Sequence, residues 1–320
     1  MHHVGISINK DNINEFKTSL FSSAKIFYRL DYIDPVLHNF PNLIMLLIYG
    51  QIKTFENFQN LSSLKCIYCY SKELKSFDGL SALYNLHELG IINAVKITNS
   101  SFASLPPFPN LVKLSIQKTR INTFVGLPYF PNLKELYFSH NELESLEGLD
   151  TNILANLIAL CFFKNKIKSL YILNNIIFHK LKFLTFCYNE ISSFSELSNS
   201  NKILFPELIS LSCSHNKIKS LKDFPKLPSL TSLNINNNEI ESFDELNTTI
   251  LPNLKILDCR NNNTTIKHLS QLLLKFPNLK EFSCDDHSMD IYDNSQIKPG
   301  KEQMFYINVD YWWYSAIVGN

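Results

Sequence analysis

Cys66 and Cys69 stand three residues apart in KCIYCY, the spacing of a zinc half-site or a dithiol redox pair. They are the first residues in this sequence whose types suggest chemistry. Neither use can be completed, since no second Cys-x-x-Cys follows and no histidine lies close by. The other candidates are the imidazoles of His140 and His215 and the thiols of Cys161 and Cys187. There is no glycine-rich phosphate loop, no His-Glu-x-x-His and no nucleophile elbow, and 8 Gly in 320 residues leave little room for one. A non-enzymatic protein without cofactor or metal is therefore expected. The question becomes which elements hold the remaining side chains, many of them aromatic, and where those side chains point.

Self-similarity supplies the elements. The run LKELYFSHNEL from Leu133 recurs as LIALCFFKNKI from Leu157, LKFLTFCYNEI from Leu181, LISLSCSHNKI from Leu208, LTSLNINNNEI from Leu230 and LKILDCRNNNT from Leu254. Looser copies begin at Leu43, Leu64, Leu86, Leu111 and Leu279, giving eleven starting leucines spaced 21 to 27 residues apart. Proline often falls shortly before the leucine, as at Pro109, Pro131 and Pro252, which excludes a continuous helix. Positions 4 and 6 of each unit, such as Leu136 with Phe138, share parity and must face a core from a short strand. Position 9 is Asn in six consecutive units: Asn141, Asn165, Asn189, Asn216, Asn238 and Asn262. A buried amide there can satisfy both the N–H and C=O groups that the backbone strands as it turns out of the sheet.

This L-x-x-L-x-L-x-x-N-x-I/L pattern resembles the leucine-rich repeat, in a variant similar to the 22-residue class of the leucine-rich regulatory subunit of protein phosphatase 1. Internalin repeats have nearly the same pattern. The resemblance implies an α/β solenoid: a leucine-rich-repeat horseshoe with a parallel concave β-sheet and short 3₁₀ or irregular convex segments. Repeats are expected over residues 40–287. Residues 1–39 are read either as an N-terminal cap or as two degenerate repeats, at Ile6 to Ile13 and Ile26 to Ile33. Residues 288–320, with the cluster Tyr311, Trp312, Trp313 and Tyr314, are read as a C-terminal cap, with a docking motif as the alternative.

Thirty Lys plus Arg against 29 Asp plus Glu leave a formal net charge of +1, so no strong field favours nucleic acid or an anionic membrane. No apolar run approaches the roughly 20 residues a spanning helix requires. A monomer is expected, in the cytoplasm or in cytoplasm and nucleus both. Seven cysteines, an odd number, fit reduced thiols better than a disulfide framework. The sequons at Asn60, Asn99, Asn247 and Asn263 occur in a chain rich in Asn, Ser and Thr and carry little weight.

In the repeat frame Cys69, Cys213, Cys259 and Cys284 fall at core position 6, whereas Cys66 at position 3, Cys161 at position 5 and Cys187 at position 7 face outward. Cys161 and Cys187 are thus expected to be the reactive thiols. Positions 3, 5, 7 and 8 form the outward face, where a partner would sit. They supply the aromatic residues Tyr49, Tyr68, Tyr70, Tyr137, Phe163, Phe183 and Tyr188, the two histidines, and then Asp258, Arg260 and Asp285. An aromatic stretch giving way to a more acidic one is expected to bind protein. The resemblance points to a protein phosphatase catalytic subunit as one candidate partner. Two alternatives stand beside it: the substrate-recognition part of a larger signalling enzyme, and an internalin-like surface receptor.

Overall fold

The computed structural model describes residues 5–8, 25–28, 43–197, 202–264, 272, 274–284 and 298–299. Among them a single parallel sheet of fourteen strands runs in strict chain order, each strand paired only with its sequence neighbours. Strands β1 (Gly5–Ile8) and β2 (Lys25–Tyr28) lead into β3 (Met45–Tyr49), β4 (Cys66–Tyr70), β5 (Glu88–Ile92) and β6 (Lys113–Gln117). Shorter strands follow: β7 (Glu135–Tyr137), β8 (Ala159–Cys161), β9 (Phe183–Thr185), β10 (Ser210–Ser212), β11 (Ser232–Asn234), β12 (Ile256–Asp258), β13 (Glu281–Ser283) and β14 (Lys298–Pro299). Apart from β1, β2 and β14, the expected caps lie outside the described residues, as does the Tyr311 to Tyr314 cluster.

From β3 to β13 every strand opens at position 3 of its unit, and equivalent positions pair across the sheet, as in Leu136 with Leu160 and Leu211 with Leu233. Register is fixed by burial, because a slip of one residue would turn Leu136 and Phe138, both fully buried, to the open face. The return segments are mostly irregular or 3₁₀, for example Glu56–Phe58, Leu80–Ala82 and Ser195–Leu197, with one α-helical turn at Thr151–Ala155 capped by the Asp150 side chain. Their apolar residues close the core from behind. Phe124 packs edge-on against Phe138 at 4.8 Å and Phe162 at 5.8 Å, and Phe162 stacks in turn on Phe186. No unit could cover its own leucines, so the core is continuous along the stack.

The asparagines perform the expected role. Asn189 Oδ1 accepts from the Ile167 N–H at 3.0 Å, while its Nδ2 donates to the carbonyls of Phe162 and Phe186, both at 2.8 Å. Asn165, Asn216, Asn238 and Asn262 repeat this scheme, each tying its own position 6 to the unit before. At the start of the ladder the partner is Thr119, whose N–H and hydroxyl both donate to Asn141 Oδ1. A second amide row appears at the opposite edge of the sheet. Asn132 and Asn253, from the Pro-Asn-Leu sequences, each donate at 2.7 Å to a proline carbonyl one unit back.

Candidate partner-binding face

Position 8 shapes this face. In eight consecutive units it is a non-glycine residue in the left-handed region: Asn93, Lys118, His140, Lys164, Tyr188, His215, Asn237 and Asn261, with φ between 51° and 58°. That conformation costs an L-residue about 1 kcal/mol or more. The neighbouring unit holds it in place: the His140 N–H donates to the Phe163 carbonyl at 2.8 Å and the Tyr188 N–H to the Ser214 carbonyl at 2.9 Å. Lengthwise pairing thus continues past the strand ends. The side chains of position 8 form a row at the carboxyl edge of the sheet.

Three of these side chains, with Phe163 from position 7 of the intervening unit, bring four rings from successive units together. His140 lies 5.3 Å from Phe163, Phe163 meets Tyr188 edge-on at 5.1 Å, and Tyr188 stacks on His215 at 3.9 Å. Adjacent strands lie about 4.8 Å apart, so one ring per strand is close to the natural contact spacing. Burial lowers the proton affinity of the His215 imidazole. Tyr188 remains exposed, as does Phe183 at the start of β9. At the other end of the sheet Tyr49 and Tyr70, both exposed, form a separate stacked pair at 5.9 Å.

Tyr68 and Tyr137 depart from expectation. Tyr137 is only 7% exposed, packed with Ala159, Cys161 and Phe163, and its hydroxyl donates to Glu135 at 3.1 Å. Tyr68 lies across Gly90 on β5 and donates to Glu88; a Cβ at Gly90 would come within 2.1 Å of the Tyr68 ring. Burial, reinforced by the carboxylate each one touches, pushes both phenols well above their usual range. Lys113 joins the Tyr137 group, 3.5 Å from Glu135 and 5.3 Å from the Tyr137 ring. This part of the face is an internal network.

Cys161 and Cys187 are corrected as well. Both lie at outward positions yet are buried. Cys161 lies under the Tyr137 and Phe163 cluster, 3.4 Å from the Ser139 hydroxyl, and Cys187 meets Ser212 at 2.9 Å. Burial pushes the Cys161 thiol up to about 11, against reactivity. Cys69 is buried and Cys66 only half-buried, consistent with their opposite directions. No group of His, Cys, Asp and Glu among the described residues could hold a metal ion.

The acidic end is also less acidic than its composition. Arg260 grips Asp258 with two hydrogen bonds, at 3.0 and 2.8 Å, and Asn236 donates to the same carboxylate at 2.7 Å. Asp285 lies outside the described residues. Just past the amide ladder, position 10 alternates in sign over six units: Arg120, Glu142, Lys166, Glu190, Lys217 and Glu239. Lys166 pairs with Glu142 at 3.5 Å and Lys217 with Glu190 at 2.9 Å. The alternation stands in the sequence, and the aligned units reveal it.

A model of two leucine-rich repeats matches residues 206–248. The fold extends the same architecture over the rest of the described residues. The chain folds as a leucine-rich-repeat solenoid. Among solved structures it is similar to an internalin, InlF, from Listeria monocytogenes, at 20% identity and a TM-score of 0.65, covering 87% of this chain and 80% of that one. YopM from Yersinia enterocolitica is similar at 21% identity and a TM-score of 0.53, covering 83% and 49%. TLR13 in its complex with ssRNA13 is similar at 20% identity and a TM-score of 0.59, covering 88% and 46%. The chain thus spans about half the length of the last two. No curated protein sequence matches it. At these identities the likeness carries the leucine-rich-repeat fold, and the partner has to be argued from the face itself.

Proposed function

We propose that this leucine-rich-repeat solenoid is a non-catalytic scaffold or regulatory subunit that binds a partner protein on its open sheet face, over the ring row His140, Phe163, Tyr188 and His215. One observation carries this reading. The core already takes up its large aromatic side chains, with fourteen phenylalanines among the described residues at most 2% exposed, whereas this row leaves Tyr188 37% exposed on the side away from the core. Aromatic side chains held rigid by stacking offer contact area at low entropic cost, as interface residues do. Support for a cytoplasmic location comes from the odd count of seven cysteines, which fits reduced thiols better than a disulfide framework.

A protein phosphatase catalytic subunit is the candidate partner suggested by the repeat resemblance. Immobilised chain should retain purified phosphatase catalytic subunit, and Phe163→Glu with Tyr188→Glu should abolish retention while Tyr171→Glu, on the far side, leaves it unchanged. No retention by wild type, alongside a leucine-rich regulatory subunit that does retain it, removes the phosphatase. Retention indifferent to the ring substitutions removes the face.

A further inference from the structure

Position 2 of each unit stands just before the strand, at the edge of the sheet opposite the ring row. It is lysine in five of the eleven units, at Lys65, Lys134, Lys182, Lys255 and Lys280, all exposed, and in none is it acidic. Four of the other six are aliphatic, among them Ile44 and Ile209, each 37% exposed. Backbone pairing holds the row in register. From Ile44 to Lys255 each position-2 carbonyl accepts the N–H groups of positions 2 and 3 of the next unit, as Lys134 does from Ile158 at 2.7 Å and Ala159 at 3.1 Å. The lysines that form ion pairs, such as Lys113, Lys166 and Lys217, stand at other positions. From the residue before the leading leucine to position 3, the eleven units hold seven lysines and four glutamates, an excess of three positive charges where the whole chain has one.

We infer that this edge docks on an anionic phospholipid surface, with the lysines among the headgroups and the aliphatic side chains between them at the interface. Two observations favour lipid over a defined anionic ligand. The five lysines precede β4, β7, β9, β12 and β13, so they stand three, two, three and one strands apart, about 5 to 14 Å. A ligand of fixed charge spacing does not match that series, whereas a headgroup layer presents charge everywhere. The residues between them are mostly Ile and Val, which enter a membrane interface but offer no face on which a base could stack. The row also follows one flank of the solenoid, so a flat surface laid against that flank meets it along its length. The ring row, at the opposite edge, stays open to a partner while the lysines are engaged.

Co-sedimentation of the full chain with vesicles of phosphatidylcholine alone, or with about one-third phosphatidylserine, provides the test. Wild type should pellet with the anionic vesicles and not with the neutral ones, and should be released as salt rises. Lys134→Glu/Lys182→Glu, which leaves five lysines against six carboxylates along the edge, should weaken vesicle binding about tenfold or more. Lys134→Gln/Lys182→Gln should weaken it less. Lys75→Glu/Lys222→Glu, an equal change of charge on the return segments, should leave it within about twofold. Tyr188→Ala should leave it unchanged, because the ring row lies at the other edge. Absence of wild-type pelleting with anionic vesicles, equal pelleting with neutral ones, no loss in the edge variants, or the same loss in the return-segment variant overturns the inference. Binding of a uridine octamer through the same two lysines, with no pelleting on vesicles, overturns it in favour of nucleic acid.

Discussion

The Tyr188 ring lies on the His215 imidazole with centroids 3.9 Å apart and planes 12° from parallel. Burial holds the His215 proton affinity below its ordinary value, so the folded protein releases this proton more readily than the unfolded chain does. By linkage, stability contributed at this site is intact above the unfolded pKa of about 6.5 and declines as pH falls below it. Thermal melts at successive pH values should show a smaller loss of Tm toward acid in His215→Phe, which keeps a ring on Tyr188, than in wild type. Identical slopes would mean that the stack does not depend on the neutral imidazole.

The amide ladder predicts a steep local cost. Asn189→Leu would leave the buried Ile167 N–H without its partner, costing about 1–3 kcal/mol, and would strip the Phe162 and Phe186 carbonyls of one of two donors each, leaving them Asn165 and Asn216. Asn262, at the less buried end, should cost less when replaced. Urea unfolding of Asn189→Leu and Asn262→Leu, side by side, measures the difference. Hydrogen exchange should locate the loss in the units beginning at Leu157 and Leu181.

Gly90 and Tyr68 should be energetically coupled. A methyl group at Gly90 would strike the Tyr68 ring, so Gly90→Ala should destabilise by about 1–3 kcal/mol as an overpacked contact. Adding Tyr68→Ser should restore part of that loss, making the double substitution less costly than the sum of the singles. Strict additivity in the double-mutant cycle would place Tyr68 elsewhere.

The thiols make a kinetic prediction. Buried Cys161 and Cys187 should react with a thiol reagent only as fast as the chain opens, and half-buried Cys66 should react first in the native protein. Mass spectrometry of partially modified protein identifies the order. Early labelling of Cys161 would contradict its cover by Tyr137 and Phe163.

What the sequence made legible was whatever depends on one unit alone. Leu136 and Phe138 read as core, and Asn141 as a backbone-satisfying amide, because strand parity and the turn out of the strand decide them locally. Burial on the open face depends on the unit alongside, which no single-unit reading contains. Tyr137 and Cys161 share an outward position, but one covers the other, and Tyr68 lies flat only because β5 offers Gly90. The left-handed position 8 left a trace in the asparagines at Asn93, Asn237 and Asn261, a residue type that tolerates that conformation. The histidines, lysines and tyrosine at the same position obscured it. Likewise Asp258 counted as negative until Arg260, two residues past the end of its strand, paired with it.

Photocrosslinking tests the central claim most directly. A benzoylphenylalanine placed at Tyr188 probes the ring row, and one at Tyr171, 62% exposed on a 3₁₀ return segment, probes the far side. Irradiated in a lysate of the source organism, the chain carrying the probe at 188 should capture a discrete partner protein that the probe at 171 does not. The capture should vanish when Phe163→Glu is added. Capture of the same protein from 171, or from 188 with Phe163→Glu present, would contradict the assignment of this face as the docking surface.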